Sequence, residues 1–146
     1  MSVLANVTAV AIAGRAMLIE GPPGSGKSSL ALALIDRGAV LIGDDGVRLA
    51  RTGDTLIASP PPNTAGLIEV RNVGIVELPV ADAPVALILH LNSSAARFPL
   101  EPDTRTLEGF EIPVLSFAPG DAVQALRAEY ALAQHGLPLP NPGETP

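Results

Sequence analysis

The chain contains no cysteine and no tryptophan, and only one tyrosine and three phenylalanines. Without cysteine there is no disulfide and no thiolate metal site, so packing alone must hold the fold. The same lack fits a reducing cytoplasm. Basic residues are also few: nine Lys and Arg stand against fifteen Asp and Glu, a net charge of −6. No Lys/Arg-rich run occurs, which argues against a nucleic-acid partner. No apolar run approaches the ~20 residues that span a bilayer, so no membrane partner is expected. The opening MSVLANVTAVAIAGR is apolar but lacks a basic start, and reads as a strand pair rather than a signal peptide. Charged residues make up 16% of the chain, which leaves few polar side chains as candidate catalysts.

What is present is enough for one domain: 146 residues with no internal repeat and no dividing linker. A chain of this size buries about 70% of its unfolded surface. Val7–Ile12 and Arg15–Glu20 are apolar runs split by Ala13-Gly14, a hairpin pattern. Lys27–Arg37 carries apolar residues at helical spacing and stops at Gly38. Ala39–Ile42 reads as a buried strand, and Val47–Leu49 with Thr55–Ala58 as a second hairpin. The proline run of residues 59–64 predicts a surface loop near the site. Leu67–Val70 and Gly74–Leu78 read as strands, Val85–Leu91 as a central strand, and Ile112–Phe117 as the last one. Residues 92–109 read as polar and irregular. Asp121–Gln134 reads as a helix, with Asp121 at its N-cap or in its first turn. The unit is therefore expected over residues 1–135, with 136–146 a flexible proline-rich tail.

Between the second strand and the first helix lies Gly21-Pro-Pro-Gly-Ser-Gly-Lys-Ser28, the pattern Gly-x4-Gly-Lys-Ser. Gly21, Gly24 and Gly26 allow successive N–H groups to turn inward on an anion. The helix that follows adds the positive end of its dipole. Lys27 suits the β- and γ-phosphates, and the Ser28 hydroxyl suits Mg²⁺. Ser25 and Ser29 complete the candidate nucleotide-binding set. The next strand ends in Asp44-Asp45, at the edge where an open α/β sheet receives its ligand. Two adjacent carboxylates beside phosphates call for a cation between them.

Taken together, GPPGSGKSSLALALIDRGAVLIGDDGVRL resembles the catalytic core of the HPr kinase/phosphorylase family. Arg37-Gly38 and Asp44-Asp45 follow the phosphate loop in the family's order, and Glu69-Val-Arg71-Asn72-Val-Gly74-Ile75 is similar to its second signature. The likeness is to the short form, the catalytic domain alone. It implies a P-loop-containing mixed β-sheet with flanking helices, similar to the nucleotide-site fold of phosphoenolpyruvate carboxykinase. It implies ATP- and Mg²⁺-dependent phosphorylation of a serine of HPr, the phosphocarrier of the sugar phosphotransferase system, and its reversal with inorganic phosphate as acceptor. By position, Asp44 would accept the serine proton, Asp45 and Ser28 would lie at the metal, Glu69 would support the metal, and Arg71 would organise the active-site loop. Family members often form hexamers, so a homo-oligomer is implied.

Three departures stand out. Asn6 occupies the place of an upstream family histidine, Asn72 that of the signature's middle glycine, and residues 118–121 lack a late arginine. The first and third weigh against phosphorylase activity more than kinase activity. A small-molecule kinase of the shikimate-kinase type is an alternative, but its Asp-x-Asp and later glycine-rich loop are missing. A nucleotide-sensing module without transfer activity is another. Of the remaining polar residues, His90 reads as a hydrogen-bonded core residue and His135 as a helix cap. Arg97, Arg105 and Arg127 are open candidates for contacting phosphate or the protein substrate.

Overall fold

In the computed structural model, which describes residues 2–98 and 101–140, apolar alternation sorts side chains onto two faces of one sheet. In chain order the elements are β1 (Ser2–Ala5), β2 (Thr8–Ile12), β3 (Arg15–Glu20), α1 (Lys27–Asp36), β4 (Val40–Gly43), β5 (Gly46–Thr52) and β6 (Thr55–Ser59). Then come β7 (Leu67–Val70), β8 (Gly74–Glu77), β9 (Ala83–Leu91), β10 (Asp103–Leu107), β11 (Phe110–Phe117) and α2 (Gln124–His135). Nine strands form the main sheet, and β7–β8 form a separate hairpin.

Strands β3, β9 and β11 run parallel, with Ile19 opposite Leu89 and Phe117 opposite Leu91. β2 is antiparallel to β3, and β4 is antiparallel to β2. Two reversals restore direction, so β3, β4, β9 and β11 all end at the same edge of the sheet. On β3, Met17 and Ile19 face α1 and α2 together with Leu30, Leu34 and Leu132. Leu18 faces the other way, into a cluster with Ile42, Leu49, Leu56 and Ile88. Each fully buried Leu or Ile contributes roughly 1.5–3 kcal/mol of transfer free energy. Both helices cover one face, while the β1–β5–β6 end of the same sheet packs over the other. β9 joins the two: Ala83 and Pro84 pair with β6, and Ile88–Leu91 pair with β11.

Helix α1 ends as its Gly38 promised. Gly38 adopts φ 111°. Its N–H donates to Ile35 O and that of Ala39 to Leu34 O, a Schellman closure. Arg37 then ties α1 to α2 by two bonds of 2.9 Å to Glu129, and this ion pair raises the Arg37 guanidinium's affinity for its proton.

Several sequence expectations need correction. The stretch 92–109 is not wholly irregular, because Asp103–Leu107 forms an edge strand antiparallel to β11. Its strand residues are exposed down to Leu107, so no apolar alternation announces it. It is nucleated by Glu108-Gly109, both at positive φ. The expected hairpin of β2 and β3 is preceded by a further strand, β1; Asn6, at φ 64°, breaks β1 from β2. Asp121 is not the N-cap of α2, which begins at Gln124 after Val123. It accepts the Val123 N–H at 3.0 Å and so caps the preceding turn. His90 is hydrogen-bonded but is no core residue, its side chain being 44% exposed. At the start of the expected tail, the Leu137 N–H donates to Ala86 O and Leu137 O accepts from Arg15. The part of that tail at 141–146 lies outside the described residues.

Candidate active site

The glycine-rich loop joins β3 to α1, so its N–H groups and the first turn of α1 lie at the shared strand-end edge. Gly24 and Gly26 sit at φ 79° and 105°, where a side chain would be strained. At Gly21 the reason is space: a Cβ there would stand 2.6 Å from Ser25 Oγ and 3.1 Å from Leu91 Cβ. Ser25 Oγ is buried inside the loop with no hydrogen-bond partner. Lys27, the only lysine of the chain, folds back so that Nζ donates to Gly21 O at 2.9 Å.

The Asp-Asp turn closes on this loop. Asp44 Oδ1 accepts from Ser28 Oγ at 2.7 Å and from Thr8 Oγ1 at 3.0 Å. Both hydroxyls use the same oxygen, and Oδ2 has no hydrogen-bond partner among the described residues. Asp45 is exposed and takes a left-handed backbone at φ 60°. The Asn6 N–H donates to Asp45 O at 3.1 Å, which pins the β1–β2 turn to the Asp-Asp turn. Glycine is required before the pair, since a Cβ at Gly43 would meet Gly46 O at 2.1 Å and Pro61 Cδ at 2.9 Å. Pro61 is buried here, so the proline run does pack near the site, though not wholly at the surface.

Ser28 is thus brought to Asp44, whereas the Asp45 side chain has no hydrogen-bond partner among the described residues. Glu69 is exposed on β7, on the separate hairpin. Arg71 lies in the β7–β8 turn. Asn72 holds φ 66° there, the left-handed angle that lets asparagine stand in for glycine. Among the described residues, no three Asp, Glu or His side chains converge on one point that would hold a metal.

Sequence reasoning missed two features. Thr8, 1% exposed, is the buried donor that orients Asp44; a polar residue opening an apolar strand was its signal. The second is a cluster around Glu20, the last residue before the loop. Arg105 from β10 makes two bonds to its carboxylate, and His90 donates from Nδ1 to Glu20 Oε2 at 2.7 Å. The Arg105 guanidinium holds the Glu20 carboxyl below its ordinary range, against the opposing effect of burial, and the His90 bond adds to the lowering. Arg105 is raised in turn. Beside this cluster a cavity of about 180 Å³ lies between the β1–β2 turn and β10. Of the other open arginines, Arg127 donates to Ala118 O at 2.7 Å and lies over Phe117, and Arg97 lies over Phe98.

Comparison with known proteins adds to this geometry. The sequence model of the HPr Serine kinase C-terminal domain matches residues 2–81. The chain belongs to that family. Within it, the HPr kinase/phosphorylase of Clostridium botulinum is 46% identical over 69 residues, which is 47% of this chain and 23% of that protein. The HPr kinase/phosphorylase of an Exiguobacterium species is 33% identical over 121 residues, 73% of this chain and 39% of that protein. The chain therefore spans well under half the length of these relatives. The solved HPr(Ser) kinase/phosphatase of Coxiella burnetii superimposes with a TM-score of 0.78 at 29% identity, covering 91% of this chain and 95% of that one. The mixed α/β fold is thus the HPr kinase fold, and none of its described helices is long and apolar enough to cross a membrane.

Proposed function

We propose that this chain is a kinase that moves the γ-phosphoryl group of ATP to a serine hydroxyl of the phosphocarrier protein HPr. The observation that carries the reading is the Asp44 carboxylate, held by Ser28 and Thr8 against the first turn of α1. That arrangement joins a phosphate-binding loop to a fixed proton acceptor. The kinase domain is residues 1–135, a P-loop unit with a nucleotide-site fold like that of phosphoenolpyruvate carboxykinase, working in the cytoplasm.

In this reading the loop N–H groups and the helix dipole hold the phosphates. The buried Ser25 hydroxyl, which lacks a partner within the protein, gains one there. Lys27 leaves the Gly21 carbonyl and contacts phosphate oxygens. The serine oxygen forms the new bond to phosphorus, the bond to ADP breaks, and the serine proton passes to the free Oδ2 of Asp44. Arg71, at the exposed tip of the β7–β8 hairpin, organises the acceptor side. Phosphate as acceptor would reverse the transfer, with Asp44 returning the proton. A homo-oligomer is the working assembly.

The donor set fits Mg²⁺. Ser28 Oγ and the adjoining aspartates are hard oxygens, and magnesium takes one or two carboxylates with phosphate and water completing its shell. Ser28 and Asp45 would hold it, with Glu69 in support; when bound it neutralises charge on the transferring phosphoryl group. The 2.7 Å bond from Ser28 to Asp44, not to Asp45, favours a second assignment in which Asp44 serves the ion and Asp45 the proton. Comparing Asp44→Asn with Asp45→Asn separates the two, because the metal ligand is the one whose loss weakens nucleotide binding only when Mg²⁺ is present. The function itself is tested with γ-labelled ATP, Mg²⁺ and purified HPr, the phosphosite being located by mass spectrometry. Phosphoserine is expected. ATP binding without transfer would overturn the kinase reading.

A further inference from the structure

The loop accounts for the phosphates of a nucleotide and leaves its nucleoside half without a place. Strand β11 pairs with β10 only as far as Val114, and its other edge continues along β9 to Phe117. Among the described residues, the outer edge of Leu115–Phe117 therefore carries no strand. Along it runs a cavity of about 550 Å³, walled by α2 on one side and residues 95–97 on another. That volume lies within the ~300–1,000 Å³ range of small-molecule sites.

The cavity reaches the phosphate loop. Pro119, in its wall, stands 3.9 Å from where a Cβ would project at Gly26, the residue before α1. Its walls present flat groups suited to a heterocycle. Arg127 is immobilised by Ala118 O at 2.7 Å, by Asp121 at 3.1 Å and by the Phe117 ring at 4.5 Å. The guanidinium plane is thus preset, and its buried Nε keeps a hydrogen without a partner. One turn along α2, Tyr130 is 63% exposed. Gln134, one turn further, adds an amide that can pair with a base edge or a ribose hydroxyl.

We propose that this cavity receives the base and ribose of the nucleotide whose phosphates lie on the Gly21–Ser28 loop. The inference rests on the phosphate-loop reading above and extends it to the donor's nucleoside. Tyr130 and Arg127 flank the base, and Asp121 and Gln134 meet its polar atoms. Ligands of open α/β sheets bind at the carboxyl ends of the strands, and the wall of this cavity includes the carboxyl end of β11 and the turn after it, residues 115–119.

The chain itself supplies the probe. With no tryptophan and one tyrosine, its tyrosine emission comes from Tyr130 alone. ADP, corrected for absorption with free tyrosinamide, should change that emission, while pyrophosphate bound to the same protein should not. An 8-azido-ADP crosslink should map by mass spectrometry to residues 115–135. Tyr130→Ala, at an exposed position that the fold does not need, should weaken ADP about tenfold, the size of one base–aromatic stack, and leave pyrophosphate affinity unchanged. Gln134→Ala should act in the same direction. A crosslink outside 115–135, or equal losses for ADP and pyrophosphate, would overturn the assignment while leaving the phosphate loop intact. Failure of the parent to bind either ligand would overturn the phosphate reading and this one with it.

Discussion

Removing the Asp44 carboxylate in two ways should separate its structural from its chemical role. Thr8 is 1% exposed, and its hydroxyl donates to Asp44 Oδ1 at 3.0 Å. Asp44→Ala strands that hydroxyl in the sheet, and a buried unsatisfied donor costs about 1–3 kcal/mol. Ser28, half-buried at the loop, can turn to water and adds little. Against a total stability of roughly 5–15 kcal/mol, the loss is measurable by urea denaturation followed by far-UV circular dichroism. Asp44→Asn keeps a carbonyl oxygen for both hydroxyls and forfeits only the charge assistance, so it should cost less than about 1 kcal/mol. Its amide cannot take a proton, however, and single-turnover transfer to HPr should fall by about 10²–10⁴. Thr8→Val should rescue Asp44→Ala, because removing both partners leaves nothing unsatisfied. An Asp44→Ala protein as stable as the parent would refute the buried-donor argument. An Asp44→Asn protein with the parent's rate would refute the proton-acceptor role.

Lys27→Ala should abolish productive ATP binding, read by calorimetry with Mg²⁺, without lowering the urea midpoint; unchanged affinity would contradict the cradle. Gly43→Ala places a Cβ 2.1 Å from Gly46 O and should destabilise by about 1–3 kcal/mol or more, so a midpoint equal to the parent's would show that the Asp-Asp turn can shift. Glu20, held below its ordinary value of 4.5 by Arg105, contributes stability that is present above that value and lost as pH falls through its folded one. Glu20→Gln should therefore be less stable than the parent at pH 7, and that gap should close on acidification; a pH-independent gap would assign the effect to packing.

The continuous stretch from β3 through the loop and α1 to β4 was legible because period, glycine and charge agree over consecutive residues. Gly38 announced its stop, and Gly43-Asp44-Asp45 announced the site edge. Polar β10 carries no apolar alternation, and its turn is Glu-Gly where Asn-Gly or Asp-Gly would be the usual signal. The pairing of Ser28 with Asp44 rather than Asp45 depends on the left-handed backbone at Asp45. The Glu20 cluster joins residues 70 and 85 positions apart, and no local pattern encodes such a meeting.

The parallel pairing of β3 with β9 carries a consequence for how the chain acquires its site. The loop, its helix and both aspartates are complete by residue 45, yet the strand bearing the loop is walled on one side by residues that come 70 positions later. Pairing over such separations is slow, because loop closure must precede any gain from contact. A chain stopped at residue 81, where the family's matched segment ends, would leave the β9 edge of β3 unpaired. That segment is a signature and not a folding unit. During synthesis the phosphate loop becomes competent only after β9 has docked, so residues beyond the family's matched segment decide when that segment begins to work.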